Sequence, residues 1–70
     1  DNSLLTIDLL STVPTVTVTI KDAETGEVVY TSTDLNVDKV YIDLAGEEKG
    51  KYTLEIQLPK EAFIGDFELD

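Results

Sequence analysis

Residues 48–56 read EKGKYTLEI: a glycine, then two positions later a tyrosine that opens a run of alternating apolar and polar residues. Tyr52, Leu54, Ile56 and the following Leu58 share one face, with Thr53, Glu55 and Gln57 on the other. A period of two belongs to a half-buried strand, because successive side chains of an extended backbone point to opposite sides. The stretch therefore predicts a strand over 52–58, buried on one face.

Outward from that stretch the same period recurs. LLTIDLL (4–10) places Leu5, Ile7 and Leu9 on one side, and TVTVTI (15–20) places Val16, Val18 and Ile20 opposite three threonines. KVYIDL (39–44) alternates Val40, Ile42 and Leu44 with Tyr41 and Asp43. FIGDFEL (63–69) offers Phe63, Phe67 and Leu69, and EVVYTS (27–32) is expected to turn Val28 and Tyr30 inward. β-branched and aromatic residues fill these runs, as pleated surfaces prefer. Strands are thus predicted over 4–10, 15–21, 26–32, 39–44, 52–58 and 63–69.

The breaks between them carry turn chemistry. Pro14 interrupts the first connection, since it has no N–H for a ladder. DAETGE (22–27) reads as a tight hairpin in which Gly26 supplies positive φ. TDLNVD (33–38) reads as a polar loop, AGEEKGK (45–51) as a charged tip and LPKEA (58–62) as the last turn. Strands at this spacing, with no window of helical period, predict an all-β fold. The expectation is a single domain over 1–70, a small immunoglobulin-like antiparallel β-sandwich of about six strands. One sheet is expected to hold 26–32, 15–21, 52–58 and 63–69, and the other only 4–10 and 39–44. The first strand of the usual seven is missing, which leaves the edge Leu4–Leu10 unpaired and open to a protein partner or to self-association.

The tyrosine fits that fold. Sandwiches often carry a tyrosine near the start of the strand conventionally lettered F, whose hydroxyl bonds to the backbone just upstream. Glu48, Gly50, Tyr52 and Leu54 stand at the immunoglobulin spacing of acid, glycine, tyrosine and cysteine, with leucine in the cysteine position. Tyr52 is therefore expected to clamp a corner, with Gly50 and Gly26 as its structural companions in the turns.

Composition excludes several functions. Fifteen acidic residues against five basic ones, all lysine, give a formal charge of −10, so no basic patch can be assembled for nucleic acid or anionic lipid. No apolar run approaches the length of a membrane-spanning helix, and no membrane insertion is expected. With no cysteine there is no disulfide, and with no histidine the usual zinc ligands are lacking. Asp1 is not a translation start, so the chain is expected to be a processed or trimmed product.

Catalytic constellations are equally thin. Ser3, Ser11 and Ser32 have no histidine to take a proton. Asp8 and Asp43 could face each other on the solvent side of the 4–10/39–44 pair, but a flat sheet face offers no cleft to desolvate an acid. Asp34, Asn36 and Asp38 imitate the opening of a calcium loop, yet Lys39 and Ala45 stand where an EF-hand needs glycine and glutamate. The three remain candidates for improvised calcium binding; no catalytic residue and no cofactor is expected. The row Thr15, Thr17 and Thr19 is read as an ordinary outward strand face.

The order of motifs resembles a family of small secreted proteins from Bacteroides and related gut bacteria, a domain of unknown function with an immunoglobulin-like sandwich. NSLLTIDL, VTVTIKDAETGEVVY, VYIDLAG, GKYTLEI and GDFEL carry the resemblance across almost the whole chain. It implies export, with placement outside the cell or in the envelope (periplasm or outer surface), and it implies no activity. The C-terminal sorting modules of secreted Bacteroidetes proteins share the aspartate–glycine–valine turn and the Gly-x-Tyr element, but they end in a basic strand where this chain ends FELD. The functional expectation is a non-enzymatic exported module acting through protein–protein contacts. The alternative is a small ligand- or calcium-binding surface module that uses its acidic loops.

Overall fold

The structure, a computed structural model, describes residues 4–70. Four strands follow one another: β1 (Leu4–Asp22), β2 (Val28–Asp43), β3 (Gly50–Gln57) and β4 (Ala62–Leu69). They form one antiparallel sheet in the order β2-β1-β3-β4. The expected six strands become four because 4–10 and 15–21 are continuous in β1, and 26–32 and 39–44 in β2. The stretch 33–38 is strand, not loop. Its backbone is held by pairing with β1, Thr33 with Thr17 and Leu35 with Thr15. Polar composition alone does not separate a loop from a strand whose backbone is paired and whose side chains are mostly wet.

The pairing nevertheless follows the expected pattern. The second half of β1 lies between the first half of β2 and β3, with Val18 opposite both Ser32 and Ile56. β3 in turn pairs β4, and Leu4–Asp8 pair Asp43–Lys39.

What joins the two parts is a crease. Between Asp8↔Lys39 and Val13↔Val37, β1 spends Leu9, Leu10, Ser11 and Thr12 against the single residue Asp38. Leu10 and Asn36 stand beside this irregularity with φ of 67° and 54°. Such a bulge bends a strand and raises its twist. Bending is required by size: nineteen residues of β1 laid flat would run on the order of 60 Å. The whole fold measures 32 × 25 × 15 Å between Cα atoms. The long hairpin therefore turns back on itself, and both halves share one core. Val16, Val18 and Ile20 from one half, Val40, Ile42 and Leu44 from the other, and Tyr52 are buried in a single cluster. Leu5, Ile7, Leu9, Leu54 and Ile56 pack against it, half-buried.

Two inward assignments are corrected. Val28 is 50% exposed because a second irregularity, between Ile20↔Tyr30 and Lys21↔Val28, leaves Val29 unmatched. One extra residue flips the alternation, so Tyr30 packs on the core and Val28 does not. Phe63 is 53% exposed, since it opens an edge strand that nothing flanks on its far side among the described residues.

The β1–β2 turn is tied by side chains. Asp22 Oδ1 accepts the N–H of Glu24 at 2.8 Å and of Thr25 at 3.2 Å, and Thr25 Oγ1 accepts that of Glu27 at 3.1 Å. Gly26, at φ +78°, donates its N–H to the Asp22 carbonyl at 2.8 Å. A side chain at that φ is strained, which accounts for the glycine.

Candidate functional site

Tyr52 is 5% exposed, and its hydroxyl donates to the main-chain carbonyl of Glu48. The ring stacks on Phe67 with centroids 5.7 Å apart and planes inclined by 22°. Gly50, at the entrance to β3, has a φ of +149°, a backbone state that L side chains rarely adopt. That state and the hydroxyl bond together fix the corner before β3. Burial pushes the Tyr52 hydroxyl up from its ordinary pKa, and the nearby carboxylates of Glu47, Asp22 and Glu48 push the same way. All of this stabilises a corner; none of it presents a reactive group to solvent.

The acidic candidates disperse. Asp8 opposes Lys39 and Asp43 opposes Leu4, so the two carboxylates stand at opposite ends of the paired segment. Their spacing is on the order of 13 Å along the strand, which corrects the expectation that they face each other. Each is occupied locally: Asp8 Oδ1 accepts the N–H of Leu10 and Asp43 Oδ1 that of Ala45, both at 2.9 Å. Asp34, Asn36 and Asp38 are spread along β2, Asp34 half-buried opposite Val16 and the other two exposed. Among the described residues no three carboxylate, histidine or cysteine side chains converge as a metal cage would require.

Of the serines, Ser3 lies outside the described residues and Ser11 is exposed on the bulge. Ser32 has a buried hydroxyl without a hydrogen-bond partner, opposite Val18. With no histidine in the chain, no imidazole can take its proton. The threonine face is wider than the sequence indicated: Thr17 and Thr19 meet Thr33 and Thr31 across the β1–β2 ladder, hydroxyl to hydroxyl, at 3.0 and 3.4 Å. Cross-strand register, invisible in a linear reading, brings those rows together.

What remains is an edge. β3 pairs β1 only along Thr17–Asp22, so among the described residues Leu4–Asp8 are hydrogen-bonded to β2 on one side and to no strand on the other. Natural edges are usually guarded by lysine, proline or inward-pointing charge. Leu4–Leu10 holds one charge, Asp8, in a chain with twenty charged residues in seventy. Its inward row is Leu5, Ile7 and Leu9, all half-buried against the core. The outer edge of β2 carries Tyr30, Ser32 and Asp34 on the inward face of its first half, opposite Ile20, Val18 and Val16, and in its second half Val40 and Ile42, which are already buried. Leu10 closes the β1 edge, 91% exposed and in the left-handed region, with its N–H bound to Asp8. A left-handed leucine costs on the order of 1–2 kcal/mol. Neither the strain at Leu10 nor its exposure was legible in the run LLTIDLL.

Fold and site together define a small all-β domain, one antiparallel sheet whose first strand keeps an apolar, almost uncharged edge that is free among the described residues. The chain matches, over residues 1–69, the model of a family described as a domain of unknown function (DUF3244), and it belongs to that family. No curated protein matches it. Among the described residues no helix is long and apolar enough to cross a membrane.

Proposed function

We propose that this chain is a non-enzymatic, exported, immunoglobulin-like β-sandwich module that works through protein–protein contacts along the Leu4–Leu10 edge. The observation that carries the reading is that edge: backbone groups paired on one side only among the described residues, an apolar inward row, and one charge in seven residues. An added strand would gain main-chain hydrogen bonds and complete the cover over Leu5, Ile7 and Leu9. The sandwich rests on the crease, which folds the β1–β2 hairpin so that its halves bury one core between them. Export rests on the likeness of the strand-and-turn motifs to a secreted family from gut bacteria.

The test is to supply a strand in cis. A second LLTIDLL segment, joined to Leu4 through an Asn-Gly turn in place of residues 1–3 so that its last leucine faces Leu4, is expected to dock antiparallel on the edge and raise the thermal midpoint by several degrees. The same segment with lysine in place of its three inward residues is expected to leave the midpoint where it was. Equal midpoints for both chains would remove the edge from consideration.

A further inference from the structure

Given that reading of the edge, its occupant can be specified from the residues themselves. We infer that a second copy of this chain pairs along Leu4–Leu10, antiparallel, about a two-fold axis through Ile7.

The run L-L-T-I-D-L-L has the same apolar pattern in both directions. Antiparallel pairing about Ile7 sets Leu5 of each copy against Leu9 of the other, and Ile7 against its own equivalent. All of these lie on the inward row, which the monomer leaves half-buried. On the outward side Thr6 meets Asp8 of the other copy. At each end of the paired stretch stand Leu4, 59% exposed, and Leu10, 91% exposed, the latter turned out of the ladder by its left-handed backbone. A two-fold interface must be self-complementary, and this one is.

Competing registers are poorer. A slip of one residue sets inward leucine against outward aspartate, because the side-chain period is two. An axis through Asp8 would set two carboxylates against each other, which is unfavourable. An axis through Thr6 sets Leu4 against Asp8, an apolar side chain against a carboxylate. Lys39–Asp43 on the outer side of β2 is also self-complementary about Tyr41, but its inward Val40 and Ile42 are already buried, 3% and 0% exposed, so pairing there gains no apolar cover. β4 brings Asp66 and Glu68, and the first half of β2 turns Ser32 and Asp34 inward.

The opposing force is net charge. Two chains of −10 repel at long range, and the repulsion is screened as salt shortens the Debye length from about 10 Å at 0.1 M toward about 3 Å at 1 M. Association is therefore expected to strengthen with salt.

The register predicts opposite effects from two substitutions at one exposed position. Thr6→Lys places an ammonium opposite Asp8 of the other copy, and Thr6→Glu places a carboxylate there. Each contact occurs twice in a two-fold interface, so the two variants should differ in dimer dissociation constant by about tenfold or more. Ala45→Lys and Ala45→Glu change net charge equally at an exposed site outside the edge and control for it. Sedimentation velocity of the four variants and the unaltered chain, with chain up to about 1 mM and salt up to about 0.5 M, reads the equilibrium. The expected result is a salt-promoted dimer, tightened by Thr6→Lys and loosened by Thr6→Glu. A chain that stays monomeric throughout overturns the proposal. So does a dimer in which the Thr6 pair moves no further apart than the Ala45 pair. If the cis-strand chain is stabilised while the unaltered chain remains monomeric, the edge reading survives and only the second copy fails.

Discussion

Ile42 and Ile64 are the same residue in opposite circumstances, 0% and 75% exposed, and replacing each by alanine tests the crease directly. Ile42 pairs with Leu5, in the half of the hairpin remote from β3. On a flat hairpin it would lie well away from Val18 and Ile20, with little to cover it. In the folded-back arrangement it belongs to their cluster. Truncating a fully buried isoleucine costs about 2–5 kcal/mol through lost transfer energy and the cavity left behind. A domain of seventy residues has roughly 4–10 kcal/mol in total, so Ile42→Ala removes about half of it. With a urea slope near 1 kcal/mol/M for a chain this small, the midpoint should fall by about 2–5 M. Ile64→Ala should stay within about 0.5 kcal/mol of the unaltered chain. Urea titration followed by far-UV circular dichroism suits a protein without tryptophan. If Ile42→Ala moves the midpoint no more than Ile64→Ala does, the two halves of the hairpin do not share a core, and the bend argument fails.

Two further outcomes follow from the turns. Tyr52→Phe removes the hydroxyl bond to the Glu48 carbonyl but keeps the stacked ring, so the melting temperature should fall by about 3–8 °C. The same hydroxyl, whose pKa is raised by burial first and by nearby carboxylates second, stays protonated in the fold after it would ionise in the unfolded chain. The unfolded state then binds fewer protons, so this contribution is complete below about pH 10 and is lost as pH rises from there toward the raised folded value. Melting curves between pH 9 and 11 should show the unaltered chain losing stability faster than Tyr52→Phe; parallel loss would contradict the assignment. Gly26→Ala forces a side chain to φ +78° with nothing crowding its Cβ, a purely conformational cost of about 1–2 kcal/mol. Gly65→Ala, equally uncrowded and without a positive φ, should be neutral or stabilise by about 0.5–1 kcal/mol. Denaturant midpoints of opposite sign check the pair.

Alternation alone determined much about this protein. It marked which side chains go inside at Val16, Val18, Ile20, Val40, Ile42 and Leu44; the placing of 15–21 between 26–32 and 52–58 came instead from reading the Tyr52 strand as strand F of an immunoglobulin-like sheet. The spacing Gly50 to Tyr52 was enough to anticipate a hydroxyl bond to the backbone upstream. These are local signals, because a strand's period and a turn's glycine are written in neighbouring residues. Register is different, since it depends on which residue of one strand meets which residue of another. Only the tertiary structure decided that 33–38 is strand, that Asp8 and Asp43 are apart, that two threonine rows meet, and that Val29 flips a face. The crease at Leu9–Thr12 belongs to the same class. It forms because the hairpin must fold back to bury both halves, and that demand comes from the whole core rather than from the four residues that yield to it.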